Sequence, residues 1–177
     1  MRKGHNIITM MPWLYLELNG KQLRIDSEDS FNIYSWREPN SKPPYWFKIK
    51  PQLHINSKSG YKQYRLFVNN KYYILSRVTY KAHNPEWDIE NNGKTNKIDH
   101  IDRNSCNNQI ENLRVVTQQQ NTFNKGAKGY NWKKNRNKWR AEIMVNQKYI
   151  HLGYFTEEAD ARQAYLTAKE KYHIMPT

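Results

Sequence analysis

The stretch from Lys97 to Asn124 reads KIDHIDRNSCNNQIENLRVVTQQQNTFN. It sets a carboxylate beside an imidazole at Asp99-His100, an amide twelve residues later at Asn112, and a second amide nine further on at Asn121. Hydrolysis of a phosphodiester needs an activated water and neutralised charge on the non-bridging and leaving oxygens. Mg²⁺ keeps several waters and takes only one or two protein oxygens plus substrate phosphate, a demand that Asp99 and the amide oxygen of Asn121 satisfy. The same oxygens accept Mn²⁺. An imidazole is the side chain suited to general-base work near neutral pH, so His100 fits removal of the proton from the attacking water. Asn112 is placed either to orient that imidazole or to pin the loop.

The local pattern predicts how these groups are positioned. Residues 97–101 read as a short strand ending in the acid and the imidazole. Asp102-Arg103-Asn104 and Asn107-Asn108 are turn formers, because Asn and Asp side chains bond nearby backbone and tolerate left-handed conformations. Leu113–Val116 has the β-branched character of a returning strand. Thr117 followed by Gln120 is a capping box, so a short helix should begin there with Asn121 in its first turn.

These residues, DHID with the following NN, NLR, VT and QN, resemble the His-Asn-His (HNH) nucleases, in the His-Asn-Asn form of phage and intron-encoded homing endonucleases. The resemblance covers roughly residues 60–124. It implies a ββα-metal fold, Asp99 and Asn121 as metal ligands, His100 as general base and Asn112 as its support. Members usually carry His-Arg in an upstream helix, where this chain has Ser76-Arg77; an N-cap role for Ser76, with the helix starting at Arg77, explains that residue equally well.

The 177 residues carry 29 Lys and Arg against 16 Asp and Glu, a formal charge of +13, which favours a polyanionic partner, nucleic acid before acidic membrane. A 14 % aromatic content argues against disorder, while 37 % hydrophobic residues imply a small or divided core. The single Cys106 excludes an internal disulfide and a four-Cys zinc site. No apolar run approaches the ~18 residues of a membrane span, and no signal-peptide core opens the chain, so a soluble, intracellular protein is expected.

Residues 1–60 read as a strand-rich module. Residues 1–9 look poorly ordered, and Asn19-Gly20 between two alternating runs predicts a hairpin. Residues 27–44 are turn-rich with three prolines, and a strand follows from Tyr45. His54 falls in a loop reaching Gly60. Trp13, Trp36 and Trp46 read as packing residues. A second hairpin is expected around Asn69-Asn70, then a short helix over Ser76–His83. Residues 61–124 form the candidate nuclease domain and 125–177 a third module.

That third module opens with seven Lys and Arg between Lys125 and Arg140 and no acid, with Tyr130, Trp132 and Trp139 interleaved. A further hairpin turns at Asn146-Gln147. Thr156 is placed to cap a helix whose apolar stripe is Ala161, Ala164, Tyr165, Ala168 and Tyr172. The segment resembles the plant Apetala/ethylene-response-factor type of DNA-binding domain through Lys128-Gly129, Lys138-Trp139, Ala141-Glu142-Ile143, Leu152-Gly153, Phe155, Glu157-Glu158-Ala159 and Ala164-Tyr165. That resemblance implies a three-stranded antiparallel sheet packed on one helix, with Trp132, Lys134, Arg136, Trp139, Arg140 and Lys148 as DNA contacts. The whole chain is therefore expected to be α+β. Its expected activity is that of a homing-type or nicking DNA endonuclease of a phage, virus or other mobile element. One Mg²⁺ or Mn²⁺ per site and duplex DNA as partner complete the expectation, with the chain a monomer or a DNA-dependent dimer. The rival reading is a DNA-binding transcriptional regulator whose nuclease module has decayed.

Overall fold

The computed structural model describes residues 13–124 and 126–176; the poorly ordered segment expected at 1–9 and the basic Lys125 lie outside the described residues. The order is β1 (Trp13–Leu18), β2 (Lys21–Asp26), β3 (Ile33–Arg37), β4 (Tyr45–Ile49), β5 (Gln52–Ile55), β6 (Lys62–Val68), β7 (Lys71–Ile74), α1 (Leu75–His83), β8 (Lys97–His100), β9 (Leu113–Val116), α2 (Gln118–Phe123), β10 (Tyr130–Lys133), β11 (Lys138–Val145), β12 (Lys148–Phe155) and α3 (Glu158–Tyr172). The strands make sheets β1-β2-β3-β4, β5-β6-β7, β8-β9 and β10-β11-β12, so the α+β class holds. Among the described residues no helix is long and apolar enough to cross a membrane.

The hairpins turn where Asn tolerates a left-handed backbone. Asn19 and Gly20 (φ 49° and 71°), Asn69 and Asn70 (44° and 66°), and Asn146 and Gln147 (49° and 63°) each put two consecutive residues at positive φ. That is the two-residue geometry whose twist matches antiparallel strands. The first two turns also hold each other: Asn19 Nδ2 donates to Asn69 O at 2.6 Å and Asn69 Nδ2 to Asn19 O at 2.8 Å.

The chain divides into two compact units. The first holds the described residues up to Asn91 together with His100–Arg114. Its core joins Leu18, Leu23, Ile25 and Ile33 from the first sheet to Leu66, Val68 and Tyr73 from β6 and β7 and to Leu75, Val78 and Ala82 from α1. The 27–44 stretch, read as turn-rich, also contains β3, because Ile33 and Ser35 alternate inward between the turn at Asp29 and the prolines. His54, expected in a loop, sits in β5 opposite Gln63. Ser76 does not cap α1: the helix begins a residue earlier, Ile74 occupies the cap position without a side-chain bond, and Ser76 is buried within the first turn.

The second unit holds Asn92–Asp99 and the described residues from Val115 onward. Ile143, Tyr165 and Ala168 form its core, with Tyr130, Val145, Ile150, Leu152 and Tyr172 packed around them. The small residues Ala161 and Ala168 let α3 lie close on the sheet, as the helical spacing predicts. Glu157, not Thr156, takes the cap position of α3, and Glu158 and Asp160 supply the first-turn acids. Gly129 adopts φ +68°, and a Cβ there would stand 2.1 Å from ring carbons of Tyr165. Gly129 is thus a packing requirement, because only a bare backbone fits against that ring.

Candidate active site

The expected strand, loop, strand, helix is present as β8, the 101–112 connection, β9 and α2. In the first unit, His100 ends β8 half-buried, with Nε2 3.2 Å from Oδ1 of Asn108. Asn108 is only 2 % exposed, and its Nδ2 donates to the Cys106 carbonyl at 3.2 Å. The amide nitrogen is committed there, so Oδ1 must face the ring and accept. The contact with Asn108 therefore calls for a proton on Nε2 of His100.

Asn112 has another duty. Its Oδ1 accepts from the Asp102 backbone N–H at 2.9 Å, while Nδ2 donates to Asp102 Oδ1 at 2.9 Å and to Asn107 O at 2.8 Å. Its own carbonyl accepts from Ile101 N–H at 2.9 Å. Of the two roles open from sequence, loop pinning is the one these bonds serve, and Asn108 is the amide that meets the imidazole. The signal for Asn108 was its place in the Asn-rich turn, which read there only as turn chemistry. Asp102 is the hub of the loop: the Asn107 side chain and the Asn104 N–H, at 2.8 Å and 2.7 Å, lead the hydrogen bonds that hold its carboxyl below the usual range. Arg103 takes φ +65° within this turn, and Ser105 Oγ ties the loop to β6 by donating to Lys62 O.

In the second unit, Asp99 is buried, and Asn124 Nδ2 donates to both of its carboxylate oxygens at 3.1 Å. Thr117 and Gln120 form both halves of the capping box that starts α2. Asn121 closes the first helical hydrogen bond to Thr117 O and lies three residues before Asn124, hence on the same helix face. Phe123 anchors α2 by stacking on His173, rings 3.9 Å apart and 6° from parallel. Burial keeps the His173 imidazole below its ordinary pKa, with Lys169 acting in the same direction and the Met144 carbonyl opposing. Asn124 was not singled out from sequence; one helical turn beyond Asn121, it is the residue that touches Asp99.

These donors are a carboxylate and amide oxygens, the hard set that a Mg²⁺ or Mn²⁺ ion accepts. Among the described residues no three His, Cys, Asp or Glu side chains converge. A cation here would therefore be held by Asp99 with amide oxygen, water and phosphate, which fits the habit of Mg²⁺.

The sheet β10-β11-β12 divides the expected DNA contacts between its two sides. Asn131, Arg140 and Tyr154 align across the three strands, and Arg136 lies over the Tyr154 ring at 4.7 Å. Alternation puts Lys133 and Lys138 on that same face. Arg140 also pairs with Glu142. Trp132 and Trp139 face each other on the opposite side, ring centroids 5.5 Å apart, and Tyr130, next along that side, packs into the core. Lys134 sits exposed in the turn before β11, and Lys148 starts β12, also exposed. The pairing shifts register between Ala141 and Glu142, and the extra residue on β12 is Leu152.

Comparison with known proteins places a class on the middle of the chain. A family model described as HNH endonuclease matches residues 73–123, the span from β7 through α2. The chain is also 36 % identical over 59 residues to a protein of Escherichia phage T7 named Protein 3.8. That match covers 29 % of this chain and 49 % of the phage protein, so the chain spans about half the length of the curated relative it matches. No solved structure matches.

Proposed function

We propose that this chain is a divalent-metal-dependent DNA endonuclease, of homing or nicking type, acting through His100. The reading rests first on the place of His100 at the end of β8, held by Asn108 within the matched span. His100 takes a proton from water as that water's oxygen attacks phosphorus, and the bond from phosphorus to the leaving oxygen breaks. Asn108 holds the tautomer, and Asn112 holds the loop that carries both. Asp99 and Asn121 are the residues that would hold one Mg²⁺ or Mn²⁺, with Asn124 fixing the orientation of the Asp99 carboxylate. When bound, such an ion supplies Lewis-acid stabilisation of charge developing on the phosphate.

The C-terminal sheet is proposed to bind duplex DNA in the manner of the Apetala/ethylene-response-factor domains, with Arg136, Arg140, Lys134 and Lys148 joined by Lys133 and Lys138. Trp132 and Trp139 are assigned to shaping the other side of this sheet instead of touching bases. Domain boundaries near 60 and 124, and a monomer or DNA-dependent dimer, belong to the same reading.

The test is a cutting assay on supercoiled plasmid and phage DNA with Mg²⁺ or Mn²⁺, with a chelator and His100→Ala as controls. Nicked or linear product that requires both metal and His100 is expected, and His100→Ala should still bind DNA. Normal cutting by His100→Ala would remove the base assignment. Binding without cutting across metals and DNA sources would favour the regulator, for which Ser76→His is the rescue to attempt.

A further inference from the structure

The face of the β1-β2-β3-β4 sheet that points away from the core is unused by the nuclease reading. One row runs in register across all four strands: Tyr15 pairs with Arg24, Arg24 with Tyr34, and Tyr34 with Lys48. The Arg24 guanidinium lies over three rings, 4.5 Å from Trp13, 4.9 Å from Tyr34 and 4.8 Å from Trp46. Of the three tryptophans read from sequence as packing residues, Trp13 and Trp46 pack around this cation and Trp36 packs on Trp46, on the side opposite Leu23, Ile25 and Ile33. Arg24 Nε is buried and meets no acceptor among the described residues. Tyr15 at the end of the row is 63 % exposed, and Lys48 at the other end is exposed.

We infer that this face is a binding platform for single-stranded DNA. An arginine fixed by aromatic walls is held ready for a phosphate at the outer nitrogens of its guanidinium, a group that matches phosphate geometry in two bonds. Lys48 adds a second cation about one strand spacing beyond Tyr34. The exposed Tyr15 ring offers a stacking surface, and a base exposes its own face only when its strand is unpaired; duplex DNA presents edges and phosphates there instead. Arg24 and Lys48 are the cations this face offers a polyanion, with Glu17 the acid next to Tyr15 along β1. The choice of DNA over RNA rests on the nuclease reading.

The experiment uses the full chain in chelator, so that cutting plays no part. Fluorescence anisotropy is followed with a labelled thymidine oligomer of roughly 12 nucleotides, within the ~4–16 nucleotides that single-strand sheet binders occupy. Competitors are a duplex and an RNA oligomer of the same length. The single strand is expected to bind and to be displaced more weakly by both competitors. Tyr15→Ala should weaken it roughly ten-fold, the effect of one lost stacked ring, and Lys48→Ala should lower the salt dependence by about one ion's slope. Both side chains are exposed, and a thermal melt confirms that each variant folds. Absence of single-strand binding, or binding unaffected by both Tyr15→Ala and Lys48→Ala, overturns the platform. RNA bound more tightly than DNA overturns the DNA assignment, and neither result bears on cutting by His100.

Discussion

Asn112→Ala removes one acceptor and two donors from the loop between β8 and β9. Asp102 N–H and Asn107 C=O lose their partners on Asn112, each bonded within 2.9 Å. Asn112 is 8 % exposed, so water replaces those bonds poorly. The Asp102 carboxylate lies at the surface and rehydrates, and it keeps Asn104 N–H and Asn107 Nδ2. Two backbone groups left short of partners cost about 1–3 kcal/mol each when fully buried. With partial access to water, a total of about 2–3 kcal/mol is expected. Urea unfolding measures it: the midpoint should fall by roughly 1 M at unchanged slope, given slopes of about 1–3 kcal/mol/M. Asn112→Asp keeps an acceptor for Asp102 N–H but sets a carboxylate against Asp102 Oδ1, so at neutral pH it should destabilise at least as much. Cutting should fall about 100-fold in Asn112→Ala, because the loop carries His100 and a displacement near 1 Å costs that much. Midpoints equal to the unmodified protein for both variants would refute the pinning role.

Gly129→Ala forces a methyl against Tyr165 and a strained positive φ, so the C-terminal unit should lose about 2 kcal/mol or more, read as an earlier thermal transition by Trp fluorescence. Thr117→Ala breaks the capping box of α2 and should cost about 1 kcal/mol in urea unfolding, whereas Thr117→Ser should cost little. His173 stays neutral in the fold below its ordinary pKa of 6.5, so its contribution to stability is complete above about pH 6.5 and is lost as pH falls from there through the lowered value. A urea series from pH 8 to 5 should therefore show a loss of stability on the acid side that is smaller in His173→Phe, which keeps the stack on Phe123.

Much of the site was legible because it is written in local chemistry. The capping box at Thr117, the returning strand at Leu113 and the Asn-rich turn each carry their geometry in short-range bonds, and each forms where the residues imply. Partner identity was harder. Asn108 and Asn112 are both amides in one loop, and only the folded chain decides that Asn108 meets the imidazole while Asn112 meets the backbone. Asn124 was invisible for a similar reason, since its contact with Asp99 spans 25 residues. That Trp132 and Trp139 stand on the side of the sheet opposite Arg140 is not visible in a basic, aromatic run until its register is known. In the first unit β3 was hidden because five strand residues between turns and prolines carry little periodic signal, and tertiary packing of Ile33 decides the matter.

The reciprocal lock between Asn19 and Asn69 carries a chemical lifetime. Asn19 precedes Gly20 in an exposed turn, the pairing in which the following N–H most easily attacks the side-chain amide and expels ammonia; asparagine is among the thermolabile residues for this reason. Hydrolysis of the resulting ring leaves aspartate or isoaspartate, replacing the Nδ2 donor with a carboxylate that faces the Asn69 carbonyl it once bonded at 2.6 Å. An aged sample should therefore gain one negative charge and lose the strap between its two N-terminal hairpins together, so that isoelectric heterogeneity and loosening of that unit keep the same clock.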